Sequence, residues 1–278
     1  MKNPLCWTEG PLSIRCIRAV GREPRFAYYV AVPRQWDDRT VPDGERLATD
    51  HTMLLSIDTS GLAGSIALTR AGILLGECSL AQAGRRHART LVAEIANLFR
   101  EHSLTSANCT GIAVSVGPGS FTGLRVGVVC AKTFAYATGC PLTAVDTLEA
   151  IAQGCPPDIE SVAVIDLAQQ GELFVGTYRR TADRWQREGE ITIQPAEHWA
   201  TVRPDGLRVV GPGLGRLRGH LFPEAVCLPP VYDIPQARHV ATIGTRQLLA
   251  GKTVDCWSLE PFYLRRSAAE EKAGVKVV

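Results

Sequence analysis

The sequence predicts an α/β protein built from two lobes of one design, and three observations carry that expectation. An apolar run ending in an acid occurs twice, as Leu54-Leu55-Ser56-Ile57-Asp58 and as Val162-Ala163-Val164-Ile165-Asp166, each followed by a further stretch of strand character. Between them, the β-branched run Ile112-Ala113-Val114-Ser115-Val116 passes through Gly117-Pro118-Gly119-Ser120 into a long helix of small residues. Gly154-Cys155-Pro156-Pro157 is a cluster of backbone breakers and serves as the hinge. At 278 residues and 45% hydrophobic content the chain can enclose two modest cores.

Residues 1–52 stand apart from that design. Pro4, Pro11, Pro24, Pro33 and Pro42 interrupt them, their charges nearly balance, and Arg15, Arg18, Arg22 and Arg25 break any apolar core of a secretory signal. The two methionines are Met1 and Met53, and Met53 directly precedes the first strand. The segment is therefore read as an extension, disordered or reflecting a misassigned start. The first lobe then spans 53–154, and the second lobe, with a return helix and tail, spans 155–278.

The elements follow in order. Leu54–Ser60, Ala63–Thr69 and Gly72–Leu80 form a three-stranded meander. His87–His102 is a helix whose apolar face is Leu91, Ile95, Leu98, Phe99 and His102, with Arg89, Glu94, Asn97 and Arg100 opposite. Ile112–Val116 is a buried strand. The helix Thr122–Thr138 is small or apolar except for Arg125, Lys132 and Tyr136, which share one side, so it should be nearly enclosed by a sheet and by another protein. Leu142–Val145 is a short strand. In the second lobe, Ser161–Asp166 pairs with Glu172–Arg179, and Leu207–Val210 leads into Gly211-Pro212-Gly213-Leu214-Gly215. The last helix, Pro235–Gly251, is stopped by glycine.

Several chemistries are excluded or left open. A net charge of +2 offers no dominating basic surface for nucleic acid. The nine cysteines contain no Cys-x-x-Cys pair, which argues against a disulfide framework or a zinc ribbon. Cys130 and Cys140 read as small core hydrophobes in a reducing cytoplasm. No two histidines lie four apart, since His87 is followed at that spacing by Leu91, and no His-Glu-x-x-His occurs, so a helical metal pair and a metalloprotease are both disfavoured. The Gly117–Ser120 turn is either a tight connection capped by Ser120 or Thr122, or an anion cradle. It lacks both the Walker ending and the dinucleotide spacing, which favours the first reading. Asp58-Thr59-Ser60 is either a capped turn or a phosphate and metal corner. Gly213 lies in a second glycine loop that makes a turn or a nucleotide contact.

Taken in order, Ile57-Asp58-Thr59-Ser60, His87-Ala88-Arg89-Thr90-Leu91, Gly117 through Gly127, Asp146-Thr147-Leu148-Glu149-Ala150, Ile165-Asp166 with Gly171-Glu172-Leu173-Phe174, and Glu260-Pro261-Phe262-Tyr263-Leu264-Arg265 resemble the bacterial TsaB (YeaZ) family. The resemblance covers Met53 to about Arg266. It departs at Ala168-Gln169-Gln170, where the family usually carries two basic residues.

The resemblance implies a two-lobed actin-like ATPase (ASKHA, RNase H-like) fold with duplicated mixed-sheet lobes. It implies a non-catalytic subunit for threonylcarbamoylation of tRNA adenosine, docking on a TsaD-like catalytic subunit and joined by a TsaE-like ATPase. Homodimerisation, tRNA contact only within the complex, a cytoplasmic setting and no membrane association accompany it. The expected interface is His87, Leu91, Glu94, Ile95 and Leu98 on one helix with Arg125, Val129 and Lys132 on the other. No cofactor or metal is required by the chain itself. ATP or ADP with magnesium at a subunit junction would touch Asp58, Thr59, Ser60, Gly117, Pro118, Gly119, Ser120 and Gly213. The rival reading is an independent ATP-binding kinase or ATPase of the same superfamily, supported by Asp58 and the glycine loop.

Overall fold

The computed structural model describes residues 12–13, 32–33, 52–80, 90–168, 170–182 and 184–264. Within the unit Met1–Arg46, strands β1 (Leu12–Ser13) and β2 (Val32–Pro33) pair antiparallel. The expectation of a disordered or misassigned extension otherwise lies outside the described residues.

The unit from Leu47 onward holds two sheets. In the first, β3 (Met53–Asp58), β4 (Ser65–Arg70) and β5 (Ile73–Ser79) form the meander. Helix α1 (Leu91–Glu101) follows. Then β6 (Gly111–Gly117), helix α2 (Phe121–Thr138) and β7 (Leu142–Asp146) complete the order β5-β4-β3-β6-β7, with β3, β6 and β7 parallel. Both faces of β3 are buried, so its run needs no polar alternation: Leu55 and Ile57 join the core that holds α1 and α2, while Leu54 faces the opposite layer.

Helix α3 (Thr147–Gln153) joins the sheets. The second sheet is built from β8 (Ser161–Leu167), β9 (Glu172–Thr181), β10 (Arg184–Pro195) and, after helix α4 (Ala196–Val202), β11 (Arg208–Val210), in the order β10-β9-β8-β11. Each sheet thus pairs an antiparallel hairpin with a parallel crossover, the duplication foreseen from the two acid-ended strands. Helix α5 (Ala237–Leu249) returns to the first sheet, where Val240 and Ile243 pack with Leu54, Ala113 and Val145. Its first amides have no cap of their own. The Ser65 hydroxyl accepts from Ala237 N at 2.8 Å and Glu77 accepts from Arg238 N at 3.1 Å, so side chains of the first sheet close the helix start.

The structure adds to the elements the sequence suggests. From Leu47 onward, α3, α4 and the twelve-residue β10 had no counterpart in the sequence reading, and Trp185 and Ile191 of β10 reach the core across a bulge between Glu188 and Thr192. Helix α2 is covered by its own sheet on one side, and its other side is open in the single chain, where Val129 is 61% and Tyr136 68% exposed. Its buried stripe is Gly123, Leu124, Gly127, Val128, Ala131 and Ala135, flanked by the half-buried Val126, Cys130 and Phe134 that also pack against the core. No helix among the described residues is long and apolar enough to cross a membrane.

Candidate functional site

Asp58, at the carboxyl end of β3, is fully buried, and its environment is made by hydroxyls. Its Oδ1 accepts from Ser60 Oγ at 2.7 Å and from Ser115 Oγ at 2.5 Å. Thr59 Oγ1 donates to Gly123 O at 2.7 Å, and Ser60 O accepts from Ser120 N at 2.7 Å. Ser120 is the helix cap, its Oγ accepting from Gly123 N at 3.2 Å. The Asp58, Thr59, Ser60, Gly117, Pro118, Gly119 and Ser120 group is thus assembled in one place, with Gly117-Pro118 a cis peptide.

The chain itself fills that corner. A Cβ on Gly119 would stand 2.6 Å from Ser60 O, and one on Gly117 would stand 2.8 Å from Phe262 O; both glycines also have positive φ. Further along α2, a Cβ on Gly123 would meet Thr59 O at 2.0 Å and one on Gly127 would meet Thr59 Oγ1 at 2.2 Å. Backbone carbonyls therefore press on the Cβ side of these glycines, and the Ser120 amide at the helix start is already bonded to Ser60 O. The residues present do not fit a nucleotide phosphate in this corner.

In the second sheet, Asp166 is the penultimate residue of β8, and its Oδ1 accepts from Leu167 N at 2.7 Å. Burial, and to a lesser degree the Asp58 charge, push its carboxyl up to about 6. A Cβ on Gly213 would stand 3.1 Å from the Asp166 backbone, and Gly211 N donates to Asp233 Oδ1 at 3.0 Å, so this loop too is held by the protein.

A third acidic group went unforeseen. Asp146 caps α3, accepting from Leu148 N at 2.8 Å, while its Oδ2 accepts from Tyr178 OH at 3.1 Å and Arg187 Nη1 at 3.0 Å. An Asp directly before Thr147-Leu148-Glu149 is a cap signal that could have marked the helix. Burial, and next the Asp146 charge, push Glu149 up to about 7. The folded chain then holds this proton more tightly than the unfolded chain, so the group lowers stability progressively as pH rises from about 4.5 to about 7, and the loss is complete above that. Glu149→Gln is expected to match wild type near about pH 5 and to be the more stable near about pH 7.5. Urea unfolding at both values checks it, and a constant difference between the proteins would refute the assignment.

The interface residues divide. Leu91, Ile95 and Leu98 are buried in the first-lobe core, which corrects their assignment to a partner surface: the apolar stripe of α1 is used against its own sheet. Glu94 is half-buried and accepts from Asn97 Nδ2 at 3.3 Å. His87 lies outside the described residues. Arg125 and Lys132 face outward but hold the tail. Arg125 lies 4.0 Å over the Phe121 ring and its Nε donates to Tyr263 Oη at 3.0 Å. Lys132 Nζ donates to Trp257 O at 3.1 Å and Leu259 O at 2.9 Å. Val129 alone of the eight is an exposed apolar residue, and Val92, Tyr136 and Trp257 are exposed as well. Trp257 packs edge-on against Tyr136, with ring centroids 5.1 Å apart. Among the described residues no three His, Cys, Asp or Glu side chains converge as metal ligands would.

Comparison with known proteins places these features. The family model for TsaD, tRNA N6-adenosine threonylcarbamoyltransferase, matches residues 80–210. The tRNA threonylcarbamoyladenosine biosynthesis protein TsaB of Escherichia coli is 28% identical, over 79% of this chain and 97% of that protein. Its Haemophilus influenzae counterpart is 27% identical over 79% and 96%. The solved structure of YeaZ from Pseudomonas aeruginosa is similar with a TM-score of 0.68 at 26% identity, covering 77% of this chain and all of that one. The two-lobed actin-like fold is thereby shared.

Proposed function

The chain belongs to the TsaB (YeaZ) family and has a role in tRNA threonylcarbamoyladenosine biosynthesis, which we propose it fills as a non-catalytic subunit that docks on and activates a TsaD-like transferase. The observation that carries this reading is the corner closed by Ser60 O and Phe262 O. A site whose glycines are used for packing has no room for the phosphates that an actin-like enzyme must hold. The same observation weighs against an independent kinase or ATPase. The chain needs no cofactor of its own, and ATP or ADP with magnesium would sit at the junction with the catalytic subunit. A TsaE-like ATPase joins the assembly, tRNA is met only within it, and the setting is the cytoplasm. The exposed stripe of α2 is the docking surface, and in the free protein it supports a homodimer.

The test is reconstitution. The purified chain alone should transfer no threonylcarbamoyl group to tRNA, and transfer should appear when the TsaD-like and TsaE-like proteins of the same cell are added; transfer by the chain alone overturns the reading. In that mixture Asp58→Asn, which keeps an acceptor for the Ser60 and Ser115 hydroxyls, is expected to leave the rate within about two-fold of wild type. Collapse of the rate with the assembly intact would put chemistry on Asp58.

A further inference from the structure

Cys109 and Cys140 lead into the neighbouring parallel strands β6 and β7, which pair through Ile112 and Leu142. Cys140 Sγ donates to Cys109 O at 2.9 Å and Cys109 Sγ donates to Gly111 O at 2.9 Å, so the Cys140 sulfur lies directly against the backbone of Cys109. Both are reduced. Their exposures differ in a useful way: Cys109 is buried, whereas Cys140 is half-buried and lines an open groove of about 330 Å³ together with Pro141, Leu142, Val254 and Cys256. We propose that Cys109 and Cys140 are an oxidisable dithiol, with Cys140 the thiol reached from the groove and Cys109 the resolving thiol behind it, closing to a disulfide on reaction with a small disulfide such as oxidised glutathione.

The chemistry balances in two exchanges. Cys140 gives up its proton and attacks one sulfur of oxidised glutathione, forming a mixed disulfide and expelling a glutathione thiolate that takes up that proton. Cys109 then gives up its proton and attacks Cys140 Sγ, forming the Cys109–Cys140 bond and releasing the second glutathione as a thiol. Two protein thiols are oxidised by two electrons, and one oxidised glutathione is reduced to two thiols. Only Cys140 has to meet the reagent, so burial of Cys109 does not forbid the reaction. Burial does push the Cys109 thiol up to about 11, so the closing step should accelerate about tenfold for each pH unit below that value. The bond would tie the entries of β6 and β7 where α2 ends and where Val254 N donates to Leu142 O at 2.8 Å. In a reducing cell the pair stays open, and oxidative load closes it.

The experiment uses the full chain, folded, with oxidised glutathione as the reagent, followed by alkylation, digestion and mass spectrometry. A linked Cys109–Cys140 peptide is expected, forming faster at higher pH and absent in Cys140→Ser. Cys109→Ser, if its thermal unfolding shows it folded, should stop at glutathione bound to Cys140. The wild-type peptide map decides the matter without either variant. Cys140 left unreacted, left as the mixed disulfide, or joined to Cys256 instead would each overturn the proposal.

Discussion

Val129→Asp is expected to leave the chain folded and to weaken its binding to the TsaD-like transferase by about thirty-fold or more, a loss of about 2 kcal/mol. Val129 sits on the outward stripe of α2 with Tyr136 two turns further on, and 61% of it is already in water, so a charge there costs the isolated fold little. Inside a docked interface the same carboxylate would be stripped of water, and the cations on its own helix are engaged, Arg125 with Tyr263 and Lys132 with the Trp257 and Leu259 carbonyls. Leu98→Asp makes the necessary contrast. Leu98 is 3% exposed in the core formed with Ile95, Phe99 and Leu55, so the charge would be buried in the free protein and should unfold it. Calorimetric titration of the folded Val129 variant with the transferase, with circular dichroism of both variants, separates the two effects. Wild-type affinity in Val129→Asp would remove α2 from the docking surface.

That contrast shows what the sequence can and cannot specify. Periodicity correctly marks Leu91, Ile95, Leu98 and Phe99 as one apolar face of a helix, but the same pattern serves a helix lying on its own sheet and one offered to a partner. The sheet, not the spacing, decides between them. The reverse happens in α2, where uniformly small and apolar residues do not say which side meets the sheet, and the packed stripe proves to be Gly123, Leu124, Gly127, Val128, Ala131 and Ala135. Strand-end acids were legible because an apolar run ending in Asp is a local signal, and the charge of Asp58 does reach Asp166. The tail was not legible. Trp257, Leu259, Phe262 and Tyr263 gain their meaning from Lys132, Val116, Gly117 and Arg125, which are more than a hundred residues away and leave no periodicity near the tail. Strand β10 alternates through Trp185, Ile191 and Ile193, yet its bulge breaks the two-residue period that would have revealed it.

Gly123→Ala is expected to destabilise the protein by about 3 kcal/mol, although alanine in place of a helical glycine normally stabilises by about 1 kcal/mol. The sign reverses because the new methyl carbon would lie 2.0 Å from Thr59 O, a backbone atom held at the end of β3 and tied back to the same turn by Thr59 Oγ1 donating to Gly123 O at 2.7 Å. Neither partner can swing aside as a side chain would, so either α2 must lift from the sheet or the Asp58 corner must shift. Gly139→Ala is the control. Gly139 ends the same helix with φ of 73° and has nothing within 4 Å of its Cβ position, so its cost is only the left-handed backbone, about 1 kcal/mol. Urea unfolding of the two variants beside wild type measures both. If Gly123→Ala proved as stable as wild type, the corner would have slack, and the glycines from Gly117 to Gly127 could no longer be explained by close packing. Room for a phosphate would then exist beside Asp58, and the case for a chain without chemistry of its own would lose its physical basis.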